Sequence, residues 1–313
     1  MFAAIVAALA TEVTLREERR YTTKELFGAS GPTHMLPLRT GEWLLSDQHN
    51  HRVVQLTQTG GSLRPRRVIG QGLLEYPRGM AADTQQLFVA DFGSSRVAAF
   101  RLSDGELQRW YGKRGTADDE LMGPFACAVW SDELFVSDWG NNRIVVWDAH
   151  DERRHLRTFG PPADEGLPRA VDGSAGHLFG PAGIAVAAGR LFVAMMNNDS
   201  VAEFNVHGEH VNSFLCGGSE MNRPYGVTIV DETVIACAEF LGSRSVHLHT
   251  LDGDVLASVA PGGAGRLAHL ATTPAVDAGS GSRLLVADSE SNWVASLAVD
   301  GDLPQPGSTT CAE

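Results

Sequence analysis

The 313-residue sequence has little that announces chemistry. Its four cysteines, Cys127, Cys216, Cys237 and Cys311, form no C-x-x-C pair, which excludes a zinc ribbon or RING-type module within this chain. Each is read as a small buried hydrophobe, a pattern that favours a reducing compartment. No glycine-rich phosphate loop, no G-x-S-x-G and no H-E-x-x-H occurs. Serine, histidine and aspartate are all present, but no spacing assembles them into a triad. Long apolar runs are also missing. The stretch from Phe2 to Ala10 is too short to span a bilayer, and no basic residue precedes it, although Ala8-Leu9-Ala10 resembles a signal cleavage site. A cytoplasmic protein is the expectation, with secretion left open. Positive charge is scarce as well: the formal net charge is −13, so nucleic acid would meet a repulsive average field.

What the chain does have is a repeat. WLLSDQHNHRVVQL, LFVADFGSSRVAAF and LFVSDWGNNRIVVW carry Asp47, Asp91 and Asp138; LFVAMMNNDSVAEF has Met195 at that position, VIACAEFLGSRSVHLH has Ala238, and LLVADSESNWVASL restores Asp288. Each stretch reads as two strands joined by a polar loop. A Pro-x-Gly-like element opens a further strand before most of them, at Pro77, Pro124, Pro181 and Pro224, and a fourth strand such as LRTFG follows. Four antiparallel strands per unit of roughly 40 to 50 residues is a propeller blade. The apolar runs are continuous rather than alternating, as strands covered on both faces require.

These residues resemble the NHL-repeat family, whose blades carry P-x-G-I-A-V followed by L-F-V-A-D-x-x-N-x-R-V. The resemblance covers nearly the whole chain and is weakest in the fifth unit. It implies an all-β, six-bladed β-propeller of NHL/TolB-like type, with four antiparallel strands per blade. The domain plan is a single propeller over 1–313, with residues 1–18 as leader or frayed segment, 19–30 as closing strand, 31–301 as six blades and 302–313 as tail. The closing strand is inferred from the other end: DGDLPQPGSTTCAE lacks a strand pattern, so Tyr21 to Gly28, ending in aromatic-Gly like LRTFG, is expected to complete blade six and remove two exposed edges. The segment Gly160 to Pro181 reads as a long loop that is either functional or merely mobile.

The aspartates Asp47, Asp91, Asp138 and Asp288 are read as turn residues serving their own loops, with Arg52, Arg96 and Arg143 as partners. Units four and five lose both members. The family comparison also bears on metal. The peptide-amidating lyases, similar propellers, bind zinc through P-H-G at the start of strand one, where this chain has Arg78, Phe125, Ala182 and Tyr225. His34 and His269 fall one position later in adjacent blades, and two histidines without a third ligand make a poor zinc site. No cofactor or metal is expected.

The position after the hairpin aspartate gives the sharper signal. Phe92, Trp139 and Met196 occupy it in consecutive blades, beside Arg78, Phe125 and Tyr225 at the strand-one entrances and Phe240 and Leu241 in the fifth hairpin. Large apolar groups collected on a loop face mark an interaction site. The leading expectation is therefore a monomeric, non-enzymatic scaffold that binds a protein or peptide on its hairpin-loop face. The alternatives are a propeller lyase or hydrolase, peptide-amidating-lyase-like or lactonase-like, with a metal at the channel mouth, and an RNA-binding NHL module.

Overall fold

The structure, a computed structural model, describes residues 13–22, 25–59, 62–160, 178–218, 223–230, 232–241, 243–262, 265–273, 282–301 and 303. Among them, six four-stranded antiparallel sheets form a six-bladed propeller. Blade three shows the plan: Pro124–Trp130, Glu133–Asp138, Arg143–Asp148 and Asp151–Phe159 pair in that order. Blades one, two, four and five open at Pro32, Pro77, Pro181 and Pro224, and blade six opens at Leu267. Phe88, Phe135 and Phe192, at equivalent points of the second strands, are buried between blades, as the continuous apolar runs require.

The N-terminal strand closes the ring, but it is not the expected one. Thr14–Tyr21 pairs with Trp293–Asp300, Thr14 opposite Asp300 and Tyr21 opposite Val294. Residues 19–30 are thus only partly strand. The reason lies in the aromatic that ends each fourth strand. Tyr111 faces Val97 in blade two, Phe159 faces Ile144 in blade three, and Tyr21, facing Val294, does the same work in blade six. Phe27-Gly28 imitates that signature inside a turn, where Phe27 has φ 56° and is half exposed while Leu26 is buried. Arg20 stacks on Trp293 at 4.1 Å and Tyr21 meets Trp43 edge-on at 5.6 Å, so the closing strand is held to both neighbouring blades.

A second correction concerns blade five. Pro124 faces Asp138 and Pro32 faces Asp47, whereas Pro224 faces Glu239, one residue beyond Ala238. The carboxylate is therefore retained in this blade, on a longer side chain. Glu239 accepts hydrogen bonds from His247 Nε2 at 2.6 Å and Ser243 Oγ at 2.7 Å in place of an arginine.

The seams between blades share one device. In five of the six hairpins a residue in the left-handed region, His51, Ser95, Asn142, Asp199 or Asn292, accepts the amide hydrogen of the residue preceding the next blade's opening proline; the fifth has Arg244 there, and blade six opens at Leu267. Those donors are Tyr76, Gly123, Gly180, Arg223 and Gly31, at 2.6 to 3.3 Å. A third departure is covalent: Cys216, at the exit of blade four, is bonded to Cys237 in blade five. The inference from unpaired cysteines to a reducing compartment thereby loses its premise. Among the described residues Cys127 is a free cysteine, and it is buried.

Candidate functional site at the channel mouth

The ladder between first and second strands slips at the same place in all six blades, just after the opening residue. That bulge lifts Thr33, Arg78, Phe125, Ala182, Tyr225 and Ala268 out of register at the axial end of the blades. What these six residues are therefore decides what the mouth is. Phe125 and Tyr225 come from blades three and five, yet their rings meet edge-on at 4.5 Å, because blade four contributes only Ala182 between them. The closeness of the first strands there is set by Gly183: a Cβ would sit 2.7 Å from the Tyr225 carbonyl oxygen.

The contact extends in both directions. Phe240 stacks on Tyr225 at 4.7 Å and 11°, and the Arg266 guanidinium lies 5.2 Å from the Phe240 ring. On the other side Arg78 lies 4.6 Å from Phe125 and 3.7 Å from Phe92, whose ring is 6.3 Å from Trp139. One chain of rings and two guanidinium groups thus crosses the mouth. Arg78 makes no ion pair among the described residues, while Arg266 faces Glu290 at 3.9 Å. Burial raises the Tyr225 phenol pKa, against the opposing pull of Arg78 and Arg266.

The structure divides the expected binding residues into two groups. Phe125 and Tyr225 are buried and form the plug of the mouth, so they are not the free anchors that their position implied. Phe92, Trp139 and Met196 are half-buried, with one side packed on the core and the other open. The register of blade five adds Phe240 to this row, since it follows Glu239 as Phe92 follows Asp91. Counted from Ala238, the row would take Glu239 and leave Phe240 only beside it.

The hairpin aspartates serve their loops and, beyond the expected local role, also accept an amide from the segment entering their own blade, Ser30 for Asp47, Glu75 for Asp91, Met122 for Asp138 and Gly265 for Asp288. Asp138 accepts from Met122 N, Asn141 Nδ2 and Arg143 Nε at 2.7, 2.7 and 2.8 Å. Asp47 pairs with Arg52 at 2.7 Å and Asp91 with Arg96 at 3.4 Å. Asp288, without an arginine, is met by the amides of Ser291 and Glu290 at 2.7 and 3.0 Å. All four carboxylates are buried, and burial raises those of Asp91 and Asp138.

Below the plug, a cavity of about 240 Å3 runs between the first strands, lined by His34, Met80, Cys127 and the aliphatic residues around them. His34 Nδ1 accepts the Met80 amide at 2.8 Å, and burial holds the imidazole down to about 4, so the ring is neutral at pH 7. The side chain of His269, residues 161–177 of the long loop, the apolar run and the tail from Pro304 lie outside the described residues. Among the described residues the one cluster of potential metal ligands is Cys216, Cys237 and His249, where blade four meets blade five, its two cysteines joined as a disulfide.

No protein-family model matches the chain. No curated protein sequence matches it either. The NHL resemblance therefore rests on the repeat motifs alone. Among solved structures, the chain is similar to a streptogramin B lyase, with a TM-score of 0.63 at 13% identity over 92% of this chain and 98% of that one. It is also similar to a gluconolactonase of Xanthomonas campestris, with a TM-score of 0.61 at 16% identity over 91% and 95%. A propeller chain in a nidogen/laminin complex gives 0.61 at 14% identity over 83% and 97%. The solved propellers it is similar to thus include enzymes and an assembly component, and at these identities the likeness is one of fold: this chain is a six-bladed β-propeller.

Proposed function

We propose that the chain is a non-enzymatic binding module that holds a peptide segment of a partner protein across its hairpin face. The observation that carries this reading is the row Phe92, Trp139, Met196 and Phe240. Four large apolar side chains stand at the same position of four consecutive blades, half-open on one rim around the plugged mouth. Arg78 and Arg266 at the mouth give the ligand a sign. In a chain of net charge −13 they are local cations, and Arg78 is uncompensated among the described residues, so a segment with an aromatic or aliphatic anchor beside a carboxylate fits best.

The catalytic alternative draws its support from the enzymes among the similar propellers, and less from the mouth itself. Phe125 and Tyr225 fill the mouth, and the one described histidine beneath it has Nδ1 engaged by the main chain. Panning a displayed random-peptide library against the protein tests the binding reading. Enriched peptides should carry an acidic residue near an apolar anchor, and their affinity should fall in both Trp139→Ala and Arg78→Ala. A library that yields no enrichment, or peptides indifferent to both substitutions, overturns it.

A further inference from the structure

Three groups at the seam between blades four and five, none of them used by the mouth, lie around one point. Cys216 sits in the turn that follows His210–Leu215, Cys237 in the second strand of blade five (Val234–Glu239) and His249 in its third (Val246–Thr250), and all three are buried. Their sulfur and nitrogen atoms lie within 4.8 Å of one another. We propose that, when the Cys216–Cys237 bond is reduced, these two sulfurs and His249 Nε2 take up one zinc ion.

Geometry, orientation and charge each support the site. Tetrahedral zinc with Zn–S of about 2.3 Å and Zn–N of about 2.0 to 2.1 Å puts sulfur and nitrogen about 3.5 Å apart. His249 Nε2 and Cys237 Sγ are 3.5 Å apart. The imidazole is already aimed: Nδ1 donates to the Gly253 carbonyl at 3.0 Å, which leaves the Nε2 lone pair facing the sulfurs, the same outer bond that orients metal-bound histidines. That lone pair now accepts the Gly217 amide at 3.1 Å, in the turn that carries Cys216. Burial lowers the His249 pKa and so keeps the ring in the neutral, ligating form. Two thiolates, a neutral imidazole and a divalent ion sum to no net charge, which suits a buried centre. Three protein ligands leave the fourth position to water.

The chemistry balances with a dithiol as reductant. It gives two electrons and two protons to the Cys216–Cys237 bond and becomes a disulfide itself, and zinc binding then releases both thiol protons to solvent. In either state the exit of blade four stays tied to the middle of blade five. The ion takes over the crosslink where the disulfide cannot persist.

The test uses the full chain, reduced with a phosphine under nitrogen and titrated with zinc chloride, bound metal being counted by mass spectrometry after desalting. Cobalt chloride serves as a coloured substitute through its thiolate charge-transfer band. About one ion per reduced chain is expected, with none in the oxidised protein. Cys237→Ser and His249→Ala should each abolish uptake, whereas Cys127→Ser should leave it intact. Zinc should also raise the melting temperature of the reduced protein. If the reduced chain is unfolded, refolding on zinc addition supports the site. Failure of the reduced chain to bind zinc, or uptake that persists in Cys237→Ser, in His249→Ala or in the oxidised protein, overturns the proposal.

Discussion

Asn292 Oδ1 accepts the amide hydrogen of Gly31 at 2.6 Å, across the seam where the last blade meets the first. Equivalent bonds join other blades in sequence order, but this one spans nearly the whole chain and so acts as a clasp on the closed ring. Asn292 has φ 56°, a conformation that asparagine tolerates better than alanine does. Asn292→Ala loses both the bond and the backbone preference and is expected to cost about 2 kcal/mol, while Asn292→Gly keeps the backbone preference and should cost about 1 kcal/mol. Urea unfolding of the two variants measures this. Equal stability of Asn292→Ala and the parent would show that the clasp contributes nothing.

Closure by Thr14–Tyr21 fixes where the chain can be shortened. A protein beginning at Val13 keeps every residue that pairs with Trp293–Asp300, and it should melt as cooperatively as the full chain. One beginning at Thr22 exposes an unpaired edge on blade six and should aggregate or melt broadly. If the second truncation melts as sharply, and at the same temperature, as the full chain, the closing strand is dispensable.

Much of this architecture is legible in the sequence because its signals are local. Each hairpin turn and each opening proline is written within a few residues, and their recurrence makes the ring. What the sequence misplaced depended on contacts between distant elements. Phe27-Gly28 carries the same two letters as Phe159-Gly160, and only pairing to Val294 tells that Tyr21 ends the strand. Ala238 and Glu239 compete for one position, and the pairing of Pro224 decides between them. Cys216 and Cys237 follow no motif and meet because neighbouring blades pack. For the candidate site, the positions of Arg78, Phe125 and Tyr225 were readable from the repeat, but their exposure was not. That depended on Ala182 being small enough for two rings to close over it.

His34 makes stability depend on pH. Its folded pKa of about 4 lies below the unfolded value of 6.5, so as pH falls through that interval the unfolded chain takes up a proton that the folded chain refuses. Stability from this group is therefore complete above about pH 6.5 and declines toward pH 4, by about 3 kcal/mol at the lower end. His34→Gln should flatten that limb of the stability–pH profile relative to the parent. Parallel profiles from pH 7 to pH 4.5 would refute the assignment.

The hairpin face separates by depth into residues that hold the fold and residues left for a partner. Phe125 is about 1% exposed and touches both Tyr225 and the Arg78 guanidinium. Its replacement by alanine opens a cavity, with an expected loss of about 3 to 5 kcal/mol of stability. Trp139 and Met196 stand half-open on the rim, so their truncation removes less packing. At a partner interface, however, an aromatic anchor commonly accounts for about 2 kcal/mol or more, roughly a thirtyfold change in affinity. Trp139→Ala and Met196→Ala should therefore shift the melting temperature by a few degrees at most while weakening capture of a selected peptide by tens of fold. Phe125→Ala should do the reverse in emphasis, lowering the melting temperature first. Thermal melts and fluorescence-anisotropy titrations on the same three variants decide the matter. Should Trp139→Ala destabilise the fold as much as Phe125→Ala does, the ring belongs to the core and the rim offers no anchor there.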